Sequence, residues 1–217
     1  MIGARTAIVG LALLTLVVSG GASAAAENRV SPMGQLIRRQ LDSMGVESRW
    51  IAGAHVNWET GQADDESETL PGRHTHCSAF VAAAAKKLGV YILRPPQHGQ
   101  VLLANAQNEW LASEGRSQGW RRLADAAEAQ NAANHGLFVV ASYHNHRDDK
   151  PGHIAIVRPG DKDEQELAME GPDVIQAATV NSASISVRAG FAGHPYAWNN
   201  DEIAYFAHPV RLAVGAN

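Results

Sequence analysis

Cysteine is nearly missing from this chain: Cys77 is the one thiol in 217 residues. Exported domains that rely on sulfur for stability carry it in pairs, so no disulfide framework can form within this sequence. A long apolar run is missing too, since the block from Ala7 to Val18 falls short of the roughly 20 residues that a bilayer span needs. There is no surplus of basic residues. The formal net charge is -4, which argues against a nucleic-acid partner. Internal repeats, low-complexity tracts and a second hydrophobic unit are also absent, and near-average apolar content in a chain of this length suits one domain with a real core.

What is present begins with "MIGARTAIVGLALLTLVVSGGASAAAENRV". Arg5, the apolar block and the small residues Ala22, Ser23 and Ala24 have the form of an export signal covering residues 1–24, cut near Ala24. The competing reading is a retained anchor. Cleavage removes only Arg5 from the charge count, so -4 becomes -5. The mature domain is then expected over residues 25–217, secreted or periplasmic, with no stable membrane insertion. In an oxidising compartment an unpaired thiol mispairs or over-oxidises unless it is buried or used.

Along the mature chain, "SPMGQLIRRQLDSMG" sets Met33, Leu36, Ile37 and Leu41 at helical spacing behind a Ser-Pro start. The acidic run from Asp64 to Glu68 reads as a solvated loop. "CSAFVAAAAKKL" predicts a buried helix closed by Gly89, with Lys86 and Lys87 at its C-terminal end, where the helix dipole favours cations. Two further helical stretches are expected in "QVLLANAQNEWLASEG" and "GWRRLADAAEAQNAANHG". From residue 137 the pattern changes to short apolar runs, "LFVVASY", "HIAIVRP", "DVIQAAT", "ASISVRA" and "IAYFAHP", which read as strands of one antiparallel sheet. Helices gathered before strands predict an α+β domain.

Cys77 falls where a Gly-containing loop becomes a helix, so free backbone N–H groups and the positive dipole end surround its sulfur. Such a position is expected to lower the thiol pKa and to supply donors for an oxyanion. A buried small hydrophobe is the plainer reading of a lone cysteine. A thiolate nucleophile needs an imidazole, and the imidazole needs an orienting polar group. Among ten histidines, His153 stands out because "KPGHIAIV" places it directly after a turn, as the first residue of an interior strand. Gln176 is the polar residue in the otherwise apolar "DVIQAAT". If that run pairs beside the His153 strand, its amide oxygen could hold the imidazole tautomer. Asn181 is the reserve orienting residue.

"HCSAFV" ahead of an alanine-rich helix resembles the Asp-Cys-Ser-Gly-Phe-Val nucleophile motif of the NlpC-type cell-wall cysteine peptidases. "GHIAIV" resembles their histidine strand, and "VIQAAT" their third motif, in the same order. The resemblance spans roughly residues 72 to 180. It implies a papain-like core with N-terminal helices packed on a C-terminal antiparallel sheet, and hydrolysis of amide bonds in peptidoglycan stem peptides or crosslinks without a cofactor or metal. Cys77 would be the nucleophile, His153 the general base and Gln176 the orienting residue. His76 stands where the family commonly has an acidic residue, Ala79 replaces its glycine, and Gln176 replaces a frequent histidine. The CHAP-type amidases share the Cys-His order. His76 and Ser78, which flank the nucleophile, and His144 and Asn145, which head the loop before His153, are expected on the substrate side.

Two rival readings accompany this one. His144, His146 and His153, with Asp148 or Asp149, could offer ligands to zinc. Alternatively, Trp50, Trp58, Trp110, Trp120 and Trp198 could line a glycan groove in a non-catalytic wall-binding module, although such residues more often fill a core.

Overall fold

A computed structural model describes residues 29–64 and 74–210. The predicted leader, 1–24, lies outside the described residues, as does 65–68 of the acidic run. Ser31 starts the first helix, α1 (Pro32–Asp42), by accepting the Gly34 N–H on its hydroxyl at 3.1 Å, with Pro32 at the first helical position. The alanine-rich helix α2 (Cys77–Lys87) is buried along its length from Cys77 to Ala85. Its small side chains let the helix pack closely against the sheet. Helix α3 (Leu103–Ala112) follows and lies against both α2 and the sheet.

The stretch expected to be one helix over 119–136 divides. Its start forms a short edge strand, β1 (Arg121–Leu123), and the helix α4 (Ala126–Asn134) begins only after Asp125. The Asp125 carboxylate accepts the Glu128 N–H at 2.8 Å, so the cap sets the boundary.

All five predicted strands form: β2 (Leu137–Tyr143), β3 (His153–Val157), β4 (Asp173–Gln176), β5 (Ser182–Ser186) and β6 (Ala204–Pro209). Three short helices interrupt this half of the chain: α5 (Glu164–Glu170), α6 (Val187–Gly190) and α7 (Pro195–Asn199). The six strands make one antiparallel sheet in the order β1-β6-β2-β3-β4-β5. The fold is α+β.

Strand alternation gives the sheet two apolar faces. Phe138, Val140, Ile154, Ile156, Ile175 and Phe206 share one core with α2 and Cys77. Val139, Ala141, Ala155, Val157 and Val174 share the other with α4 and with Phe191 and Ala197. Among the described residues no helix is long and apolar enough to cross a membrane.

Candidate functional site

Cys77 opens α2 and is 4% exposed. Burial pushes its thiol above the ordinary 9.0, while the backbone amides of Ile154, Ser78 and Cys77 itself and the Thr75 side chain pull the other way. The expectation of a lowered pKa is therefore corrected: the amides of the helix start are present, but the sulfur is so deeply desolvated that the neutral thiol prevails. Its surroundings are not hydrocarbon alone. The Ile154 amide lies on β3, one residue beyond His153.

His153 is also buried, 3% exposed, and opens β3. β4 pairs beside β3 with Ile175 opposite Ile156, which brings Gln176 near the head of β3, and His153 Nε2 donates to Gln176 Oε1 at 2.8 Å. An amide oxygen can only accept, so the bond places the ring proton on Nε2 and leaves Nδ1 as the basic nitrogen. Burial lowers the His153 pKa, and the Gln176 bond opposes it. Gly190 keeps the pair accessible to α6: a Cβ there would lie 2.8 Å from Gln176 Oε1.

The loop 144–152 that delivers His153 is fastened from α3. Asn105 Oδ1 accepts the N–H groups of Asn145 (3.2 Å) and Gly152 (2.7 Å), and Asn105 Nδ2 donates to the Lys150 carbonyl (2.9 Å). Gly152 has no room for a side chain, since a Cβ would meet the Tyr143 carbonyl oxygen at 2.0 Å.

The thiol and the imidazole approach the sheet from different faces. Ile154 and Ile156 face α2, whereas His153 lies with the opposite core, its ring 4.6 Å from Phe191 in an edge contact. Among the described residues no hydrogen bond joins Cys77 to His153.

No family model matches this chain, and no curated protein matches its sequence.

The remaining predicted residues divide. His76 is 7% exposed and its Nε2 bonds the Ala54 carbonyl at 2.9 Å. Its ring is committed to the backbone of the 51–54 turn rather than free for substrate. Ser78 is buried in the first turn of α2, and its carbonyl accepts from Gln107 at 3.1 Å. His144 and Asn145 are half-buried in the loop before His153; His144 Nε2 bonds Glu109 Oε1 at 2.8 Å and Asn145 Nδ2 donates to the Pro151 carbonyl at 3.0 Å. Asn181 is not an orienting residue. Its Nδ2 donates to the Val46 and Arg49 carbonyls, at 2.8 and 2.7 Å, and ties β5's approach to the N-terminal segment.

The zinc set does not converge. His144 is held by Glu109, His146 by Glu202 at 2.6 Å and His153 by Gln176, and among the described residues no group of three His, Cys, Asp or Glu side chains is disposed to hold a metal. Trp50, Trp110 and Trp120 are core residues; the indole N–H groups of Trp50 and Trp120 donate to the Trp58 and Tyr91 carbonyls.

One residue at the site escaped the sequence reading. His194 stacks on His153, rings 5.8 Å apart and 16° from parallel, and burial first, then the charge of His153, lowers its pKa to about 4. It lies 41 positions further along the chain in "GHPYAW", outside all three motifs; only its place beside a proline-started helical turn set it apart.

Proposed function

We propose that this chain is an exported cysteine amidase with a papain-like core, acting on amide bonds of peptidoglycan stem peptides or their crosslinks. The observation that carries the reading is the ordered His153–Gln176 pair at the head of the strand whose next amide, Ile154 N–H, lies against the Cys77 sulfur. The three motifs and their order supply the substrate class.

In this reading both groups are neutral at rest. The Cys77 sulfur attacks the carbonyl as its proton passes to His153 Nδ1, and the backbone amides at the start of α2 receive the oxyanion. Gln176 Oε1, already bonded to Nε2–H, holds the imidazolium. Collapse breaks the C–N bond, with the Nδ1 proton leaving on the amine, and water then hydrolyses the thioester to restore the thiol. The free protein sets the sulfur and the imidazole against opposite faces of the sheet, so in this reading the head of β3 must turn His153 toward α2 when substrate binds.

Incubation with defined stem peptides, followed by mass spectrometry, tests the reading. Cys77→Ala is expected to lower turnover by at least about a thousandfold, as loss of a nucleophile does, with the thermal midpoint little changed. Muropeptide release retained by that variant would sink it.

A second reading is favoured by the burial of the thiol and its missing bond to an imidazole: a wall-binding module on the same fold. Cosedimentation with purified sacculi, without new amino termini, selects it.

A further inference from the structure

The sheet carries a cavity on the face away from Cys77, with a volume of about 320 Å³. Its size suits a small ligand. Leu123, Leu167, Ala197 and Trp198 give it apolar walls, contributed by β1, α5 and α7. Tyr205, on β6, is 7% exposed, lines the cavity, and its hydroxyl has no hydrogen-bond partner among the described residues. That hydroxyl is directed toward the α5 and α7 wall: a Cβ built on Gly171, at the end of α5, would lie 3.5 Å from it and 3.3 Å from the Trp198 ring.

Opening onto the cavity without a protein partner among the described residues, the hydroxyl can bond a ligand that accepts or donates there. Two carboxylates set the sign of that ligand. Asp125 and Asp201 both line the cavity, and both raise the Tyr205 hydroxyl's pKa, after burial itself. Asp125 spends one oxygen on the α4 cap, the bond from Glu128 N–H. The Asp201 carboxylate has no hydrogen bond or ion pair among the described residues. Arg122 also lines the cavity, but among the described residues no lysine or arginine forms an ion pair with either carboxylate.

We propose that this cavity binds a small primary ammonium group carried on a short aliphatic stem, with Asp125 and Asp201 facing the charge, Tyr205 accepting one of its hydrogens, and Trp198 and Leu167 covering the stem. The site is independent of the thiol chemistry.

Titration with n-butylammonium, watched by amide NMR, tests it against n-butanol and butyrate, which have the same stem with no charge or the opposite one. Butylammonium is expected to shift the amides of 123–126 and 197–205, while the two controls leave them in place. Tyr205→Phe removes the hydroxyl alone, and Asp125→Asn keeps an N-cap while removing the charge; each is expected to weaken binding tenfold or more, and Asp201→Asn likewise. No shifts with butylammonium, equal shifts with butanol, or unchanged affinity in Asp201→Asn would overturn the proposal.

Discussion

A cysteine at a helix start is pulled in two directions, and in this protein the stronger pull is desolvation. The amides of Cys77, Ser78 and Ile154 favour the thiolate, but a sulfur 4% exposed has lost the water that would stabilise charge. The thiol therefore titrates above its ordinary value of 9.0. Alkylation by iodoacetamide should accordingly be slow near neutrality and gain about tenfold per pH unit past pH 9, because only the thiolate reacts. The rate constant measured against pH checks this. A plateau below about pH 8 would mean a thiolate already paired with an imidazole in the free protein. The sequence showed the helix start and the lone cysteine plainly; it could not show how deep the sulfur would sit, since depth depends on what packs over Thr75 and Ile154.

Between α3 and the loop that leads into β3, Asn105 makes the bonds to the backbone. Asn105 holds both ends of the loop 144–152 through three backbone bonds, and the Gly152 N–H it accepts is buried. Asn105→Ala leaves that donor unpaired, at a cost of about 1–3 kcal/mol, and frees the turn that aims His153. The expected outcome is a lower urea midpoint together with exchange broadening of the His153 Nε2 proton, which the Gln176 bond protects in the native protein. Unchanged stability and an unchanged resonance would show that the loop holds itself. The elements themselves were largely legible. Period-two runs marked every strand from 137 onward, and the one polar residue of "DVIQAAT" proved to be the partner of His153 once β4 paired with β3. Alternation along "HIAIV" also separated His153 from Ile154, but which face α2 would cover is a tertiary matter. Helix α5 was legible and overlooked: Asp163 and Glu166 bond reciprocally across its first turn as a capping box, a pattern readable in "DEQE".

At the scale of the whole molecule, three imidazoles are folded into places that disfavour their charged forms. Burial lowers the pKa of His76, His153 and His194, and for His194 the value falls from 6.5 to about 4. In the unfolded chain each returns to about 6.5. Between those limits the unfolded chain holds more protons than the folded one, so acid favours unfolding. The stability tied to these rings is complete above about pH 6.5 and is lost as pH falls, the His194 share being gone once pH passes about 4. His194 lies against His153 and Tyr143, and neighbouring His146 is paired with Glu202. A proton on His194 would thus meet the His153 ring rather than a carboxylate. Chemical denaturation between about pH 7 and 4.5 should show stability declining by up to about 1.4 kcal/mol per pH unit for each ring that titrates only in the unfolded state. His194→Phe keeps an aromatic ring against His153 and removes one such titration, so its slope should be shallower by about one proton. An identical slope in that variant would mean that His194 takes up its proton in the folded protein, with the ring turned out of its stack on His153.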